Sequence, residues 1–114
     1  MKLNHVALTV QNREASAQFY GDFFGMNIRI HDDDHLLILA NEDGDLLALS
    51  AGKKDFDLPR TNHFGFQVSS TEGVLSMRNR FKNAGIEETE FSPHGPTRVQ
   101  VLDPDGYRVE VYAF

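Results

Sequence analysis

The chain contains no cysteine, and that absence removes three chemistries at once: a disulfide framework, a thiolate zinc site and a cysteine nucleophile. Any metal chemistry must come from His, Asp or Glu. Basic residues are also scarce, with 11 Lys and Arg against 17 Asp and Glu and a formal net charge of −6. The cations are scattered and no face collects them, which argues against binding nucleic acid through counterion release. No 18-residue apolar run occurs, and Met1-Lys2-Leu3-Asn4-His5 enters an alternating pattern directly, without the apolar stretch of a secretory leader. The expectation is a cytoplasmic, soluble protein with neither a nucleic-acid nor a membrane partner. A chain of 114 residues buries roughly two-thirds of its unfolded surface, enough for one core. Any internal duplication must then use half-sized units.

What is present reads as two copies of one small unit. Val6, Leu8 and Val10 alternate with His5, Ala7 and Thr9, which predicts a half-buried strand over Leu3 to Val10. Ala15, Phe19 and Phe23 recur at four-residue spacing after Asn12 and stop at Gly25, the pattern of an amphipathic helix ended by a left-handed glycine. Tyr20 and Phe24 lie off that stripe and are candidates for contact with a partner subunit. Strands follow around Ile28 and Ile30, over Leu36 to Ala40 and over Leu46 to Ser50, separated by the polar turns Asp32-Asp33-Asp34 and Asn41-Glu42-Asp43-Gly44.

The order then repeats. Asn62 to Val68 alternates with Phe64, Phe66 and Val68 on one side. Ser69 and Glu72 have capping-box spacing, Val74, Met77, Phe81 and Ala84 form a helical stripe, and Gly85 is the stop. Ile86 to Phe91, Arg98 to Leu102 and Tyr107 to Ala113 supply three more strands, the last two joined by Asp103-Pro104-Asp105-Gly106. An offset of 58 carries Asn4-His5 onto Asn62-His63, Phe23 onto Phe81 and Ile28 onto Ile86. An offset of 62 carries Asp43-Gly44 onto Asp105-Gly106, Leu47 onto Val109 and Ala48 onto Glu110. The expected fold is α+β: two βαβββ units forming a cupped mixed sheet with the helices on its outer face. Residues 1–114 make one domain, from units 1–52 and 62–114 and a linker 53–61.

In such a sheet, alternate side chains point away from the helices. These are His5, Ala7, Thr9, His63, Gly65 and Gln67 on the opening strands, and Arg98, Gln100, Arg108, Glu110 and Tyr112 on the later ones. His5, His63 and Glu110 form a two-histidine, one-carboxylate set that suits Fe(II), Mn(II), Zn(II) or Ni(II) and leaves coordination positions open. Taken singly each residue has a plainer reading: a histidine beginning a strand faces water, and Glu110 pairs with Arg108 on its own face. Arg98 or Arg108 is placed to orient an anionic group, and Gln67 and Gln100 to hydrogen-bond it. The run His31-Asp32-Asp33-Asp34-His35 reads as a solvated hairpin tip rather than a metal site. Gly44 and Gly106 read as turn glycines rather than a phosphate cradle.

The paired units, the opening Leu-Asn-His-Val-Ala-Leu and the segment Asp103-Pro104-Asp105-Gly106-Tyr107-Arg108-Val109-Glu110 resemble the vicinal oxygen chelate superfamily over essentially the whole chain. That group includes glyoxalase I, fosfomycin-resistance thiol transferases, methylmalonyl-CoA epimerase, extradiol dioxygenases and metal-free bleomycin-binding proteins. The resemblance implies one divalent ion at His5, His63 and Glu110, and a lyase, thiol transferase or dioxygenase that chelates adjacent oxygens of a small substrate. The alternative it carries is a metal-free binding or antibiotic-sequestering protein, with which a net charge of −6 is compatible through cation capture. Ala48 stands where four-ligand members carry Glu or Gln, which disfavours glyoxalase chemistry. Ala7 stands where the fosfomycin transferases carry threonine, and Ser92 to Pro96 lacks their lysine- and serine-rich loop. No histidine acid-base partner for extradiol cleavage is identifiable beyond the ligands. The resemblance also implies a homodimer, with each cup built from the units of one chain or of two.

Overall fold

The computed structural model describes residues 1–55 and 57–114; Phe56, inside the expected linker 53–61, lies outside the described residues. Two compact units divide at Asp57 and Leu58. The first contains β1 (His5–Val10), α1 (Arg13–Phe24), β2 (Ile28–Asp32), β3 (Leu37–Ala40) and β4 (Leu46–Ala51). The second contains β5 (Phe64–Gln67), α2 (Thr71–Asn83), β6 (Glu88–Ser92), β7 (Thr97–Leu102) and β8 (Arg108–Ala113). Each is therefore a βαβββ unit, and each folds its own four-stranded mixed sheet, ordered β1-β4-β3-β2 and β5-β8-β7-β6. Among the described residues no helix is long and apolar enough to cross a membrane.

In the first unit, Asn12 caps α1 by accepting from the Ala15 N–H at 3.0 Å, and Gly25 ends it at φ 71. The helix packs on β4. Its buried residues are Ser16, Phe19 and Tyr20, not the expected Ala15, Phe19 and Phe23. Ala15 is exposed, because the helix has turned the apolar stripe by about one position. Tyr20 is fully buried and lies 5.0 Å from Phe19 between ring centroids, so it is core and presents no face to a partner subunit. Leu8, Val10, Leu37, Leu39, Leu47 and Leu49 are also buried. Ile28 and Ile30 are exposed; β2 is an edge strand of its sheet and carries a bulge between Arg29 and His31.

The second unit repeats the plan, with its cap at the position equivalent to Asn12. Ser70, rather than the expected Ser69 with Glu72, caps α2 by accepting from the Gly73 N–H at 3.1 Å. Val74 and Phe81 are buried, Met77 is half-buried and Ala84 is exposed, so the expected stripe ends at Phe81. Gly85 holds φ 73. The helix packs on β7 and β8, whose Val99, Val101, Val109 and Val111 are buried.

The ladders make the duplication explicit. Val6 lies opposite Leu47 and Ala7 opposite Ala48; in the second unit Phe64 lies opposite Val109 and Gly65 opposite Glu110. Ile38 faces Ala48 as Gln100 faces Glu110. The bulge recurs too, between Glu88 and Glu90. His31 faces Ile38 as Glu90 faces Gln100, so the offset at β2 and β6 is 59 and Ile28 corresponds to Glu87, not to Ile86. The turns before β4 and β8 also match: Asn41 accepts from the Asp45 N–H at 2.8 Å and Asp103 from the Tyr107 N–H at 2.9 Å. Gly44 and Gly106 share φ 86, a left-handed conformation that costs glycine little.

Candidate metal centre

The chemistry-bearing side chains of the second unit occupy the sheet face opposite the four buried valines. Alternation along β8 puts Val109 and Val111 against α2 and leaves Arg108, Glu110 and Tyr112 on the other side. Glu110 is 8% exposed. His63 lies one residue before β5, just outside the strand that the alternating pattern predicts to begin at Asn62.

The His63 ring is oriented from behind. Its Nδ1 donates to the Thr61 carbonyl at 2.9 Å, which places the available lone pair on Nε2, 3.6 Å from Glu110 Oε2. A backbone acceptor behind one ring nitrogen is the arrangement that fixes tautomer and direction in ligating histidines. Arg98 lies diagonally across the ladder and reaches the same oxygen at 3.5 Å. Its firmer partner is Glu90, at 3.0 Å, and that hydrogen bond raises the guanidinium's pKa above its ordinary value. Glu110 thus shares contacts with Arg98 and His63, and not with Arg108, whose Nη1 donates instead to the Pro59 carbonyl at 3.4 Å.

Glu90 was not legible as part of this face, because β6 carries a bulge that shifts the alternation by one residue. Only the recurrence of the β2 ladder could have revealed it. Thr89, the extra residue at the bulge, donates from Oγ1 to Gln100 Oε1 at 2.9 Å. Gln100 is 1% exposed and its Nε2 has no partner among the described residues. Gln67 is exposed and lies opposite Tyr112.

In the first unit Ala7, Ala48 and Ile38 stand in the ladders where the second has Gly65, Glu110 and Gln100. His5 begins β1, exposed, with Nδ1 3.4 Å from Asn4 Oδ1. His31 binds Asp33 at 2.8 Å, and Asp33 accepts from the backbone N–H groups of His35 and Leu36 at 2.8 Å each. This is a hydrogen-bonded hairpin tip, as its sequence suggests. Among the described residues no three His, Asp or Glu side chains are gathered as a ligand group. His63 and Glu110, both of the second unit, are brought together. The donors of the pair are nitrogen and carboxylate oxygen, and Gln100, opposite Glu110 in the ladder, has a buried Nε2 with no partner among the described residues. Both observations fit a borderline divalent ion.

Residues 2–111 match the Glyoxalase/Bleomycin resistance protein/Dioxygenase superfamily, and the chain belongs to that family. It is 35% identical to the trivalent organoarsenical cleaving enzyme of Bacillus sp. (strain MD1), over 98% of this chain and 73% of the relative. It is 29% identical to a probable enzyme of the same description from Bacillus subtilis (strain 168), over 98% and 80%. The structure of a possible glyoxalase from Bacillus cereus superposes with a TM-score of 0.84 at 28% identity, covering 98% of both chains. The fosfomycin resistance protein FosX of Listeria monocytogenes superposes at 0.85 with 21% identity, covering all of this chain and 93% of that one. That likeness shows the shared fold.

Proposed function

We propose that the chain is a divalent-metal enzyme that takes a small oxygenated substrate through adjacent oxygens, with His63 and Glu110 as two protein ligands and His5 as the third. The observation that carries this reading is the His63 ring, held at Nδ1 by Thr61 with Nε2 turned to the Glu110 carboxylate. The internal duplicate strengthens it. Ala48 occupies the position of Glu110 without loss of the fold, so a buried carboxylate there is not a folding requirement and needs another reason. The names of the relatives, which include cleaving enzymes, support catalysis over passive binding.

The ion, when bound, supplies a Lewis acid that stabilises negative charge on substrate oxygens. Around it, Arg98 is held charged by Glu90 and orients an anionic group, while Gln67 and Arg108 line the same face. The substrate class differs from that in the relatives' names. Trivalent arsenic is a soft, thiophilic centre, and these residues include no cysteine, whereas nitrogen and oxygen donors match oxygen-bearing substrates. Family resemblance further supports a homodimer.

Elemental analysis of the untagged protein, followed by Mn(II) titration of the demetallated protein, tests the reading. One ion per chain is expected, with His63→Ala and Glu110→Ala each lowering Mn(II) affinity about tenfold or more. Absence of binding, or variants that bind as well as the parent, returns the chain to the metal-free binding class. Tight retention of phenylarsenous acid in equilibrium dialysis would overturn the oxygen-substrate assignment.

A further inference from the structure

Two polar groups of the second unit face each other across the β7–β8 ladder, and each is underused. Gln100 lies opposite Glu110. Its amide is buried and its Nε2 has no partner among the described residues, a costly state for a polar donor. Glu110 is also buried, yet its two contacts, to Arg98 at 3.5 Å and His63 at 3.6 Å, are both at one oxygen and both beyond a good hydrogen-bond length.

The amide is not adrift. The single Thr89 hydroxyl hydrogen is directed chiefly to Gln100 Oε1 at 2.9 Å and shared with the Gln100 carbonyl at 3.2 Å, which holds the oxygen end and leaves the donor end as the one to be used. Thr89 is placed for this by the bulge in β6. The first unit has the same bulge, but Ile30 occupies it, exposed, and Ile38 stands where Gln100 would be. The fold tolerates aliphatic residues at both places. Thr89 and Gln100 were therefore introduced, or kept, for something other than the sheet.

We infer that Gln100 is a positioning residue for Glu110: when His63 and Glu110 take up a metal ion, Gln100 Nε2 donates to the Glu110 oxygen that does not ligate. This rests on the metal reading above and assigns the Thr89–Gln100 pair a role within it. A ligating carboxylate held at its second oxygen loses less freedom on binding metal and stays in one orientation. The burial of Nε2 suits a protein partner better than a diffusing substrate, so Gln100 passes from the substrate-contacting set to the support of the ligand.

The test measures two quantities on full-length protein. Gln100→Met removes the donor at nearly constant length, and Gln100→Ile reproduces the first unit's own residue. Mn(II) dissociation constants are read from the electron paramagnetic resonance signal of free Mn(II), and apo-protein stability from thermal unfolding. Both variants are expected to bind Mn(II) about tenfold or more weakly while apo stability is unchanged or higher, since an unsatisfied donor has been removed. A purely structural role moves both quantities downward together. Thr89→Val is expected to show a smaller loss of Mn(II) affinity and Thr89→Ser to restore it. Parent-like Mn(II) binding by both Gln100 variants overturns the inference and leaves the metal reading intact; failure of the unchanged protein to bind Mn(II) overturns the metal reading and this with it.

Discussion

Gly65 lies directly opposite Glu110 in the parallel β5–β8 ladder, and a Cβ added at Gly65 would sit 3.2 Å from the Glu110 carbonyl oxygen and 3.3 Å from the Glu110 Cβ. Both neighbours belong to a paired strand and cannot swing aside. In the first unit the corresponding pair is Ala7 and Ala48, so a Cβ is accommodated at the equivalent place of that ladder. Gly65→Ala is expected to weaken Mn(II) binding about tenfold through displacement of Glu110, with a stability change of about 1 kcal/mol. Ala7→Gly is expected to leave Mn(II) affinity unchanged. Titration of both variants by calorimetry, beside urea unfolding, checks the contrast.

The matching turns before β4 and β8 differ in burial. Asp103 is buried and accepts from the Asp105 and Tyr107 N–H groups at 2.9 Å each; Asn41, half-buried, accepts from the N–H of the exposed Asp45. Asp103→Ala strands donors away from water and is expected to cost about 1–3 kcal/mol. Asn41→Ala, whose donor finds water, is expected to cost about 0.5 kcal/mol. Urea unfolding curves that rank the two in the opposite order would contradict this account.

Asp33 carries the clearest pH signature. The His35 backbone N–H, the His31 ring and the Leu36 backbone N–H bring its pKa down from 3.8 to about 2. A depressed carboxyl contributes stability above its unfolded value and loses it as pH falls through the folded one, here from about 4 to about 2. Carbon-detected NMR should give an Asp33 midpoint near the lower figure, and His31→Ala should raise it. The stability difference between the parent and Asp33→Ala should shrink across that acid window; a difference constant down to pH 2 would place the hairpin's stability elsewhere.

Much of this architecture is written in the alternation of residues such as Val6, Leu8 and Val10, because a half-buried strand forces period two on its sequence. The duplication was readable for a related reason: Asp43-Gly44 and Asp105-Gly106 both meet a left-handed backbone requirement that few other residues satisfy. His63 and Glu110 were legible as a pair because both lie on the face that the alternation assigns. Glu90 and Thr89 were hidden by the bulge, since one extra residue inverts inside and outside without leaving a mark in composition. Tyr20 was misplaced because a tyrosine at helical spacing fits either face until packing chooses. The partnering of Arg98 with Glu90 and Glu110 depends on diagonal neighbours across strands, which no single strand's pattern contains.

The strand order has a kinetic consequence. Strands β6, β7 and β8 pair as neighbours along the chain, while β5 pairs with β8 in parallel only after the intervening helix and meander have been traversed. Loop-closure entropy delays such long-range pairing relative to local hairpins. His63 and Glu110 sit on opposite sides of that last-formed seam. A chain caught part-way through folding therefore has most of its hydrogen-bonded sheet while His63 and Glu110 are still apart.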